Sequence, residues 1–348
     1  MKKTLIALAA LASVATVAQA QSSVTIYGIV DAGITRATNV EGTNTSMTGM
    51  SNGGLSTSRF GFRGTEDLGS GLKAGFNLEG EILADTGAQG TSATDLFHRA
   101  AFLSLSQDGV GSLRMGRMNR HDYTMAVKYD AFGGNNIGGW IASNTGTVAL
   151  SVAERISNTV ELQTASFGGF KLTYQLGYGE AAGQSNRNRT TVIGAEYGVG
   201  KFSTAVTYAE KNADTTAALT TKVTSIYAQY DLGVALLTGG FAKSKTDNAG
   251  VELSGYHVGA RVPVNANVTV LAAYNAFDND AGKKPTTYAL GTTYAFSKRT
   301  TGYLIGAKSN QDNSSAQNIV STSKYNGFDT PAAGNNQTAY SVGIRHTF

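Results

Sequence analysis

The sequence of 348 residues contains no cysteine and only three prolines. Without cysteine, a disulfide framework, a thiol catalyst and a thiolate metal site are all excluded. Long apolar runs are missing too, because nothing beyond the first twenty residues approaches the roughly 18 apolar residues that a membrane-spanning helix needs. The formal net charge is only +4, and such a nearly balanced charge does not indicate a surface that binds nucleic acid. We therefore expect neither a helical membrane protein nor a nucleic-acid-binding protein.

The first residues have the three-part pattern of a secretory signal. Two lysines precede an apolar run from Leu5 to Val17, and Ala18-Gln19-Ala20 matches the small-x-small motif that a signal peptidase cleaves. We predict a signal peptide over residues 1–20 and one exported domain over residues 21–348.

The remaining composition favours β-sheet separated by turns. The sequence has 43 glycines and 16 tyrosines, and its mean hydropathy is close to neutral at −0.14. Such an average suits a large soluble domain, but it also suits a membrane barrel, whose strands alternate apolar with polar residues.

Hydrophobicity alternates with a period of two along much of the chain. From Phe170 to Tyr178, aromatic and aliphatic residues occupy every second position, with Lys171, Thr173 and Gln175 between them. Similar alternating segments begin at Phe60, Leu72, Tyr256 and Tyr288. They run for about 10 residues or more, which is the length that a tilted strand needs to cross a bilayer core.

Short and long connections alternate between these segments. The long ones are Val40 to Ser56, Thr86 to Asp95, Asn119 to Glu154, Glu180 to Arg189, Asn212 to Thr220 and Gln311 to Gln337. From Val24 onward we count sixteen segments of about 20 residues each, connections included, and barrels of roughly 16–18 strands enclose an aqueous channel. The sequence thus predicts an all-β fold, a 16-stranded antiparallel transmembrane β-barrel with short periplasmic turns and long extracellular loops.

The final segment, YSVGIRHTF, is predicted to be the closing strand. Tyr340, Val342, Ile344 and Phe348 share one face, which would point towards lipid. His346 lies on the same face and is interpreted as an interfacial residue rather than a metal ligand. Because a barrel in a bilayer leaves no strand edge unpaired, this strand should pair with the first one, Val24 to Ala37.

Several segments resemble the general porins of β-proteobacteria, of the neisserial and burkholderial type. They are QSSVTIYGIVDAGI at Gln21 to Ile34, SRFGFRGTEDLGSGLKAGFNLEGE at Ser58 to Glu81, GSLRMGR at Gly111 to Arg117 and the final IRHTF. This resemblance implies a trimeric diffusion channel of the outer membrane that is narrowed by a third loop folded into the lumen. It also implies that Tyr340, Val342, Ile344 and Phe348 form a signal for the barrel-assembly machinery.

The long connection from Asn119 to Glu154 is the candidate third loop. It carries apolar residues such as Tyr123, Met125 and Trp140, as a loop docked against the wall would, whereas a disordered loop is the alternative. Its charges nearly cancel, and we expect Asp122, Lys128 and Asp130 to line a constriction.

The wall opposite this loop is predicted to be basic. Arg59 lies on the lumen face of the second strand, and the resemblance places Arg99 and Arg155 beside it. Rings of arginine favour anions, although these side chains could also be solvated without a role in selectivity. The facing of Arg99 stays open, because apolar residues follow in phase with it. Arg117 is expected to stabilise the base of the loop or to contact another subunit.

These features predict a water-filled channel for passive diffusion of ions and small hydrophilic solutes, with a weak preference for anions. A substrate-specific channel is the alternative, but it would need an aromatic path along the lumen. No catalytic motif, metal site or cofactor site is predicted. The expected partners are outer-membrane lipid, the barrel-assembly machinery and two further copies of the chain.

Overall fold

The computed structural model describes residues 23–348 except 41, 43, 91–93, 135, 147–153, 214–219, 248–251, 281, 283, 313–316, 320–327 and 329–330. The predicted signal peptide, residues 1–20, lies outside the described residues. The first half of the chain forms β1 (Ser23–Val40), β2 (Thr45–Ser51), β3 (Arg59–Gly69), β4 (Leu72–Glu81), β5 (Ala100–Gln107), β6 (Gly111–Asn119), α1 (His121–Lys128), β7 (Thr145–Gly146), β8 (Arg155–Thr164) and β9 (Phe170–Gly177).

The second half contains β10 (Thr190–Val199), β11 (Phe202–Asn212), β12 (Thr220–Asp231), β13 (Leu236–Thr246), β14 (Glu252–Pro263), β15 (Val268–Asn279), β16 (Thr286–Ala295), β17 (Thr300–Asn310), β18 (Gln317–Asn318) and β19 (Thr338–Thr347). None of the helices in the described part of the chain is long and apolar enough to cross a membrane.

The long strands form one closed antiparallel barrel. Each strand pairs with its neighbour in the chain, and β1 pairs with β19 in a register that runs from Ile29 opposite Thr347 to Ala37 opposite Ala339. This pairing removes the sheet edge. β2 and β3 are successive parts of one barrel strand, because β1 pairs with β2 over its second half and with β3 over its first half. The closed barrel therefore has 16 strands, which confirms the predicted fold.

The predicted alternation of faces is also present. On β1, Val24, Ile26 and Ile34 expose more than half of their side chains on the outer wall, whereas Asp31 and Thr35 point inwards and are fully buried. Tyr340, Val342 and Ile344 of β19 lie on the outer wall, and so does Phe348, which follows the strand. The barrel thus turns its apolar face outwards and its hydrogen-bonding face towards the lumen.

One predicted loop is wrong in detail. The sequence predicts a continuous connection from Val40 to Ser56, but Thr45–Ser51 is the strand β2. The break falls later, over residues 52–58, between β2 and β3. These residues leave the sheet because their backbone groups bind a carboxylate on β1, as described below.

Candidate pore constriction

The connection between β6 and β8 folds into the lumen, which confirms the docked-loop prediction. Tyr129 stacks on Tyr227 of β12 with 5.9 Å between ring centroids, and Trp140 stacks on Phe277 of β15 at 4.8 Å. All four side chains are buried. Burial of this much aromatic surface stabilises the loop against the inner wall.

Polar contacts fix the same loop to the wall. Asn275 of β15 donates from Nδ2 to the carbonyl of Gly138 at 2.9 Å, and Arg261 of β14 donates from Nε to the carbonyl of Ala131 at 2.8 Å. Gly138 has a φ of +74°, and a Cβ at this position would lie 2.1 Å from Cβ of Ala289. Glycine is therefore needed for the backbone to approach the wall this closely.

Asp130 organises the loop from inside. Its carboxylate accepts hydrogen bonds from the backbone N–H groups of Phe132 at 2.8 Å, Gly134 at 2.9 Å and Trp140 at 2.6 Å. Only 1% of the residue is exposed. Asp130 thus closes the loop on itself and does not reach the open lumen, in contrast to the predicted constriction role.

Two other predicted constriction residues also have partners elsewhere. Asp122 forms a buried ion pair with Arg120, and Lys128 donates from Nζ to Oε2 of Glu196 on β10 at 2.6 Å. Neither Asp122 nor Lys128 lies among the residues that line the cavity described next. Local charge pairing explains the difference, because Asp122 is buried in its ion pair, whereas Lys128 stays exposed but is held at the wall by Glu196.

A cavity of about 580 Å³ lies between the inward loop and the wall. Among the described residues that line it are four arginines, Arg59, Arg99, Arg261 and Arg345, and none of the lining residues is acidic. Tyr123 of α1 and Phe132 line it from the side of the loop. Four guanidinium groups at one narrow place make the potential there positive.

The structure places Arg99 in the lumen. The residue precedes Ala100, where β5 begins, so it is not bound by the alternation of that strand. Nε of Arg99 lies 2.7 Å from Oε1 of Glu79, and Nη1 of Arg59 lies 3.8 Å from the same oxygen. Arg59 and Arg99 therefore meet at one shared carboxylate on β4.

Arg155 and Arg117 lie outside this cavity lining. Arg155 pairs with its neighbour Glu154, with 3.1 Å between Nη1 and Oε2. Arg117 points outwards in phase with Met115 and donates from Nε to the carbonyl of His98 and from Nη1 to Oγ of Ser157, at 2.5 Å and 2.6 Å. Arg117 thus ties β6 to the start of β8 and to the residues before β5, near the base of the inward loop.

Burial shifts the pKa values of two side chains of α1. It raises the pKa of Tyr123 to about 12, and the charge of Glu154 acts in the same direction against the nearby arginines. The phenol is therefore neutral and can donate a hydrogen bond at any physiological pH. Burial also lowers the pKa of His121, although Glu196 and Glu161 act in the opposite direction.

A second inward segment narrows the lumen beside the cavity. Asp31 of β1 accepts hydrogen bonds from the backbone N–H groups of Gly54 at 3.1 Å, Leu55 at 2.9 Å and Ser56 at 2.7 Å. The phenol of Tyr303 donates to the same carboxylate at 2.9 Å. Because this segment supplies Leu55, Ser56 and Thr57 to the cavity lining, Asp31 shapes the constriction without facing it.

Sequence reasoning missed Asp31, Arg261 and Arg345 as parts of this site. Asp31 is the one acidic residue in β1, which is a usable signal. Alternation assigns Arg261 and Arg345 to the polar face, but it does not give the height of a residue in the barrel. That height depends on strand register and on where the loop docks.

Together these features define a class, an outer-membrane barrel whose lumen stays open but is narrowed by an inward loop. Comparison with known proteins gives the family. The Gram-negative porin family matches residues 7–314, and the chain belongs to it. The protein is an integral outer-membrane porin, and its barrel is a water-filled channel.

Relatives cover the whole chain. Outer membrane porin protein 32 of Delftia acidovorans is 34% identical over all of both chains, and an outer membrane porin protein of Bordetella pertussis is 31% identical, again over all of both. Among solved structures, an anion-selective porin from Comamonas acidovorans superposes with a TM-score of 0.84 and 31% identity, over 94% of this chain and all of the other.

Proposed function

We propose that the channel prefers anions and that the arginines of the cavity set this preference. The supporting observation is the cavity lining, in which Arg59, Arg99, Arg261 and Arg345 meet no acidic lining residue among those described. A positive constriction between low-dielectric walls raises the local concentration of anions and lowers that of cations. The similar porin from Comamonas acidovorans is named anion-selective, which agrees with the proposal.

The roles within the site differ in this proposal. Arg59, Arg99 and Arg345 act on passing ions directly, because less of their hydrogen-bonding capacity is used by the loop. Arg261 mainly holds the loop through the carbonyls of Ala131 and Asp130. Arg155 contributes its charge from outside the cavity lining, near enough to act on Tyr123 and Arg59, whereas Asp122, Lys128 and Asp130 act by keeping the loop in place.

Reversal potentials across planar bilayers in a KCl gradient test the proposal. We expect an anion-favouring potential for the native channel and smaller potentials for Arg59→Ala, Arg99→Ala and Arg345→Ala. Arg36→Ala is the matched control, since Arg36 is exposed on the outer wall of β1 in phase with Ile34. The proposal fails if the native channel favours cations, or if the control changes the potential as much as the cavity variants do.

We further propose that three copies assemble and that the residues of the last strand guide insertion. The row Tyr340, Val342, Ile344 and Phe348 offers the barrel-assembly machinery an exposed apolar strand face. Chemical cross-linking in the membrane should give trimers, and Phe348→Ala should lower the amount of inserted protein. A monomer after cross-linking would contradict the proposed trimer, and normal insertion of Phe348→Ala would contradict the proposed role of the last strand.

Arg117→Ala distinguishes two roles of Arg117. If Arg117 supports the loop, the variant should change the conductance; if it contacts another subunit, the variant should change the cross-linked species.

A further inference from the structure

Tyr303 crosses the seam of the barrel on the lumen side. It belongs to β17, and the row that it starts continues with Gly343 of β19 and Gly33 of β1. A Cβ would lie only 2.2 Å from the phenol oxygen of Tyr303 at Gly343 and 2.6 Å from it at Gly33. The side chain can therefore cross two strands because neither carries a side chain at this height. Its hydroxyl donates to Oδ1 of Asp31 on β1 at 2.9 Å.

The same hydroxyl contacts the second inward segment, residues 52–58. The N–H of Gly54 donates to the phenol oxygen of Tyr303 at 3.2 Å and to Oδ1 of Asp31 at 3.1 Å. The seven residues of this segment stand opposite only three residues of β1, 30–32, so sheet pairing cannot fix their conformation. The carboxylate of Asp31 fixes it instead, by accepting three backbone N–H groups of the segment together with the hydroxyl of Tyr303.

This segment holds one of the arginines that line the cavity. Nη1 of Arg345 donates to Oγ of Ser56 at 3.2 Å, whereas Nε of Arg345 is buried without a hydrogen-bond partner in the described part of the chain. The backbone N–H of Ser56 donates in turn to Oδ2 of Asp31 at 2.7 Å. The hydroxyl of Ser56 thus fixes the guanidinium, and Asp31 fixes the position of that hydroxyl.

We propose that Tyr303 is a positioning residue for anion selectivity, which holds Arg345 at the constriction through Asp31 and Ser56. This inference rests on the proposed role of Arg345 in selectivity. A guanidinium that is fixed at the constriction raises the potential there, whereas one that is free to move spreads its charge along the lumen. The hydroxyl of Tyr303 therefore influences passing ions although the side chain is buried.

The alternative role for Tyr303 is stabilisation of the seam alone, and Thr35 provides the matched comparison. Thr35 is also buried on the lumen face of β1, and its hydroxyl donates across the same seam to Oγ of Ser341 at 2.8 Å. On its other side Thr35 pairs with Gly49 of β2, before the segment begins. Loss of this hydroxyl removes a seam contact and leaves the segment in place.

Reversal potentials across planar bilayers in a KCl gradient test the proposal. Tyr303→Phe removes the hydroxyl and keeps the ring over the two glycines, and it should lower the anion-to-cation permeability ratio about twofold or more. Thr35→Val should leave this ratio nearly unchanged. Gly54→Ala is a second variant outside the paired strands, because its Cβ would lie 2.3 Å from Cε2 of Tyr303 and would separate the segment from the ring. It should lower the ratio as well, and it decides if Tyr303→Phe does not give the heat-modifiable band of a folded barrel.

A double-variant cycle tests whether Tyr303 acts through Ser56. Ser56→Ala should lower the ratio alone, and Tyr303→Phe combined with Ser56→Ala should lower it no further. The proposal is overturned if Tyr303→Phe leaves the ratio unchanged, if Thr35→Val lowers it equally, or if the effects of Tyr303→Phe and Ser56→Ala add. A native channel that favours cations would contradict the proposed function, but the same shifts would still reveal whether Tyr303 and Ser56 are coupled.

Discussion

Arg99 and Glu79 are joined by a hydrogen bond of 2.7 Å between Nε and Oε1, and this carboxylate also attracts Arg59 at 3.8 Å. Glu79 therefore offsets part of the positive charge of the constriction and at the same time holds Arg99 in place. Glu81 also lies near Arg99, with 3.8 Å between Oε2 and Nη1, so the charges of Arg59 and Arg99 are largely balanced on β4. The excess positive charge of the cavity therefore depends on Arg261 and Arg345, which donate to backbone carbonyls and to Oγ of Ser56. The extent of anion preference is set by this balance rather than by the number of arginines alone.

Glu79→Gln should strengthen the anion preference. The side chain keeps its shape and an acceptor for Arg99, but the negative charge is lost. One unit charge at about 8 Å in water corresponds to roughly 0.5 kcal/mol. Its loss favours an anion and disfavours a cation by this amount each, so the anion-to-cation permeability ratio should rise about fivefold. Reversal potentials in a KCl gradient measure this ratio. Glu66→Gln is the control, because Glu66 is an exposed glutamate in the second half of β3. An unchanged permeability ratio for Glu79→Gln would show that Glu79 does not influence selectivity.

Asp130→Ala should loosen the inward loop while leaving the barrel closed. Three buried backbone N–H groups lose their acceptor, and each such loss costs about 1–3 kcal/mol. Hydrogen exchange of the amides of Phe132, Gly134 and Trp140 should accelerate by at least about a hundredfold, and single-channel current should become noisier. Asp231→Ala is the control, because Asp231 accepts from the N–H of Gly233 in an exposed turn. Unchanged exchange at Trp140 would show that aromatic stacking alone fixes the loop.

The sequence was sufficient for the barrel but not for the inside of the site. Period-two alternation and the order of short and long connections are local properties, and they determine the strands, their faces and the docked loop. The positions of Asp122, Lys128 and Asp130 depend on which partners lie within reach after folding. Lys128, for example, meets Glu196, which is 68 residues away along the chain. No local pattern contains that information.

The break between β2 and β3 has the same origin. Residues up to Ser56 belong to the predicted loop, but the three consecutive N–H groups of residues 54–56 bind Asp31, and that carboxylate is also bound by Tyr303 of β17. The hydrogen bond from Tyr303 crosses 272 positions of the chain. The sequence indicates that Asp31 needs a partner in the lumen, whereas the identity of that partner follows only from barrel closure.

Docking of α1 should weaken as the pH falls. Burial lowers the pKa of His121 below its ordinary value of 6.5, against the opposing charges of Glu196, Glu161 and Asp122 and with the help of Arg114. Since the undocked state takes up the proton first, docking has its full stability above about pH 6.5 and loses it as the pH falls towards the lowered value. Hydrogen exchange of the α1 amides, corrected for intrinsic rates, should therefore show less protection at pH 5 than at pH 7.5.

His121→Gln provides the comparison for this pH effect. The amide does not titrate, so protection of α1 should no longer depend on pH over this range, even if it is lower overall. His346→Gln is the control, because His346 is exposed on the outer wall, where Nδ1 lies 2.9 Å from Oγ1 of Thr300. The same pH dependence in His121→Gln and in the native protein would assign the effect to another group.

The seam between β1 and β19 has a consequence for how the protein folds. Gly28 and Phe348 exchange two backbone hydrogen bonds, at 3.1 Å and 3.0 Å, and the phenylalanine ring lies over the glycine where a Cβ would be only 2.3 Å away. Hairpins between successive strands form from residues that are close in the sequence. The contact between Gly28 and Phe348 joins almost opposite ends of the sequence, so its loop-closure entropy is the most unfavourable and it should form most slowly. We therefore expect folding to proceed hairpin by hairpin and this pairing to form last, so that until then the nascent sheet has two unpaired edges that could pair with other chains.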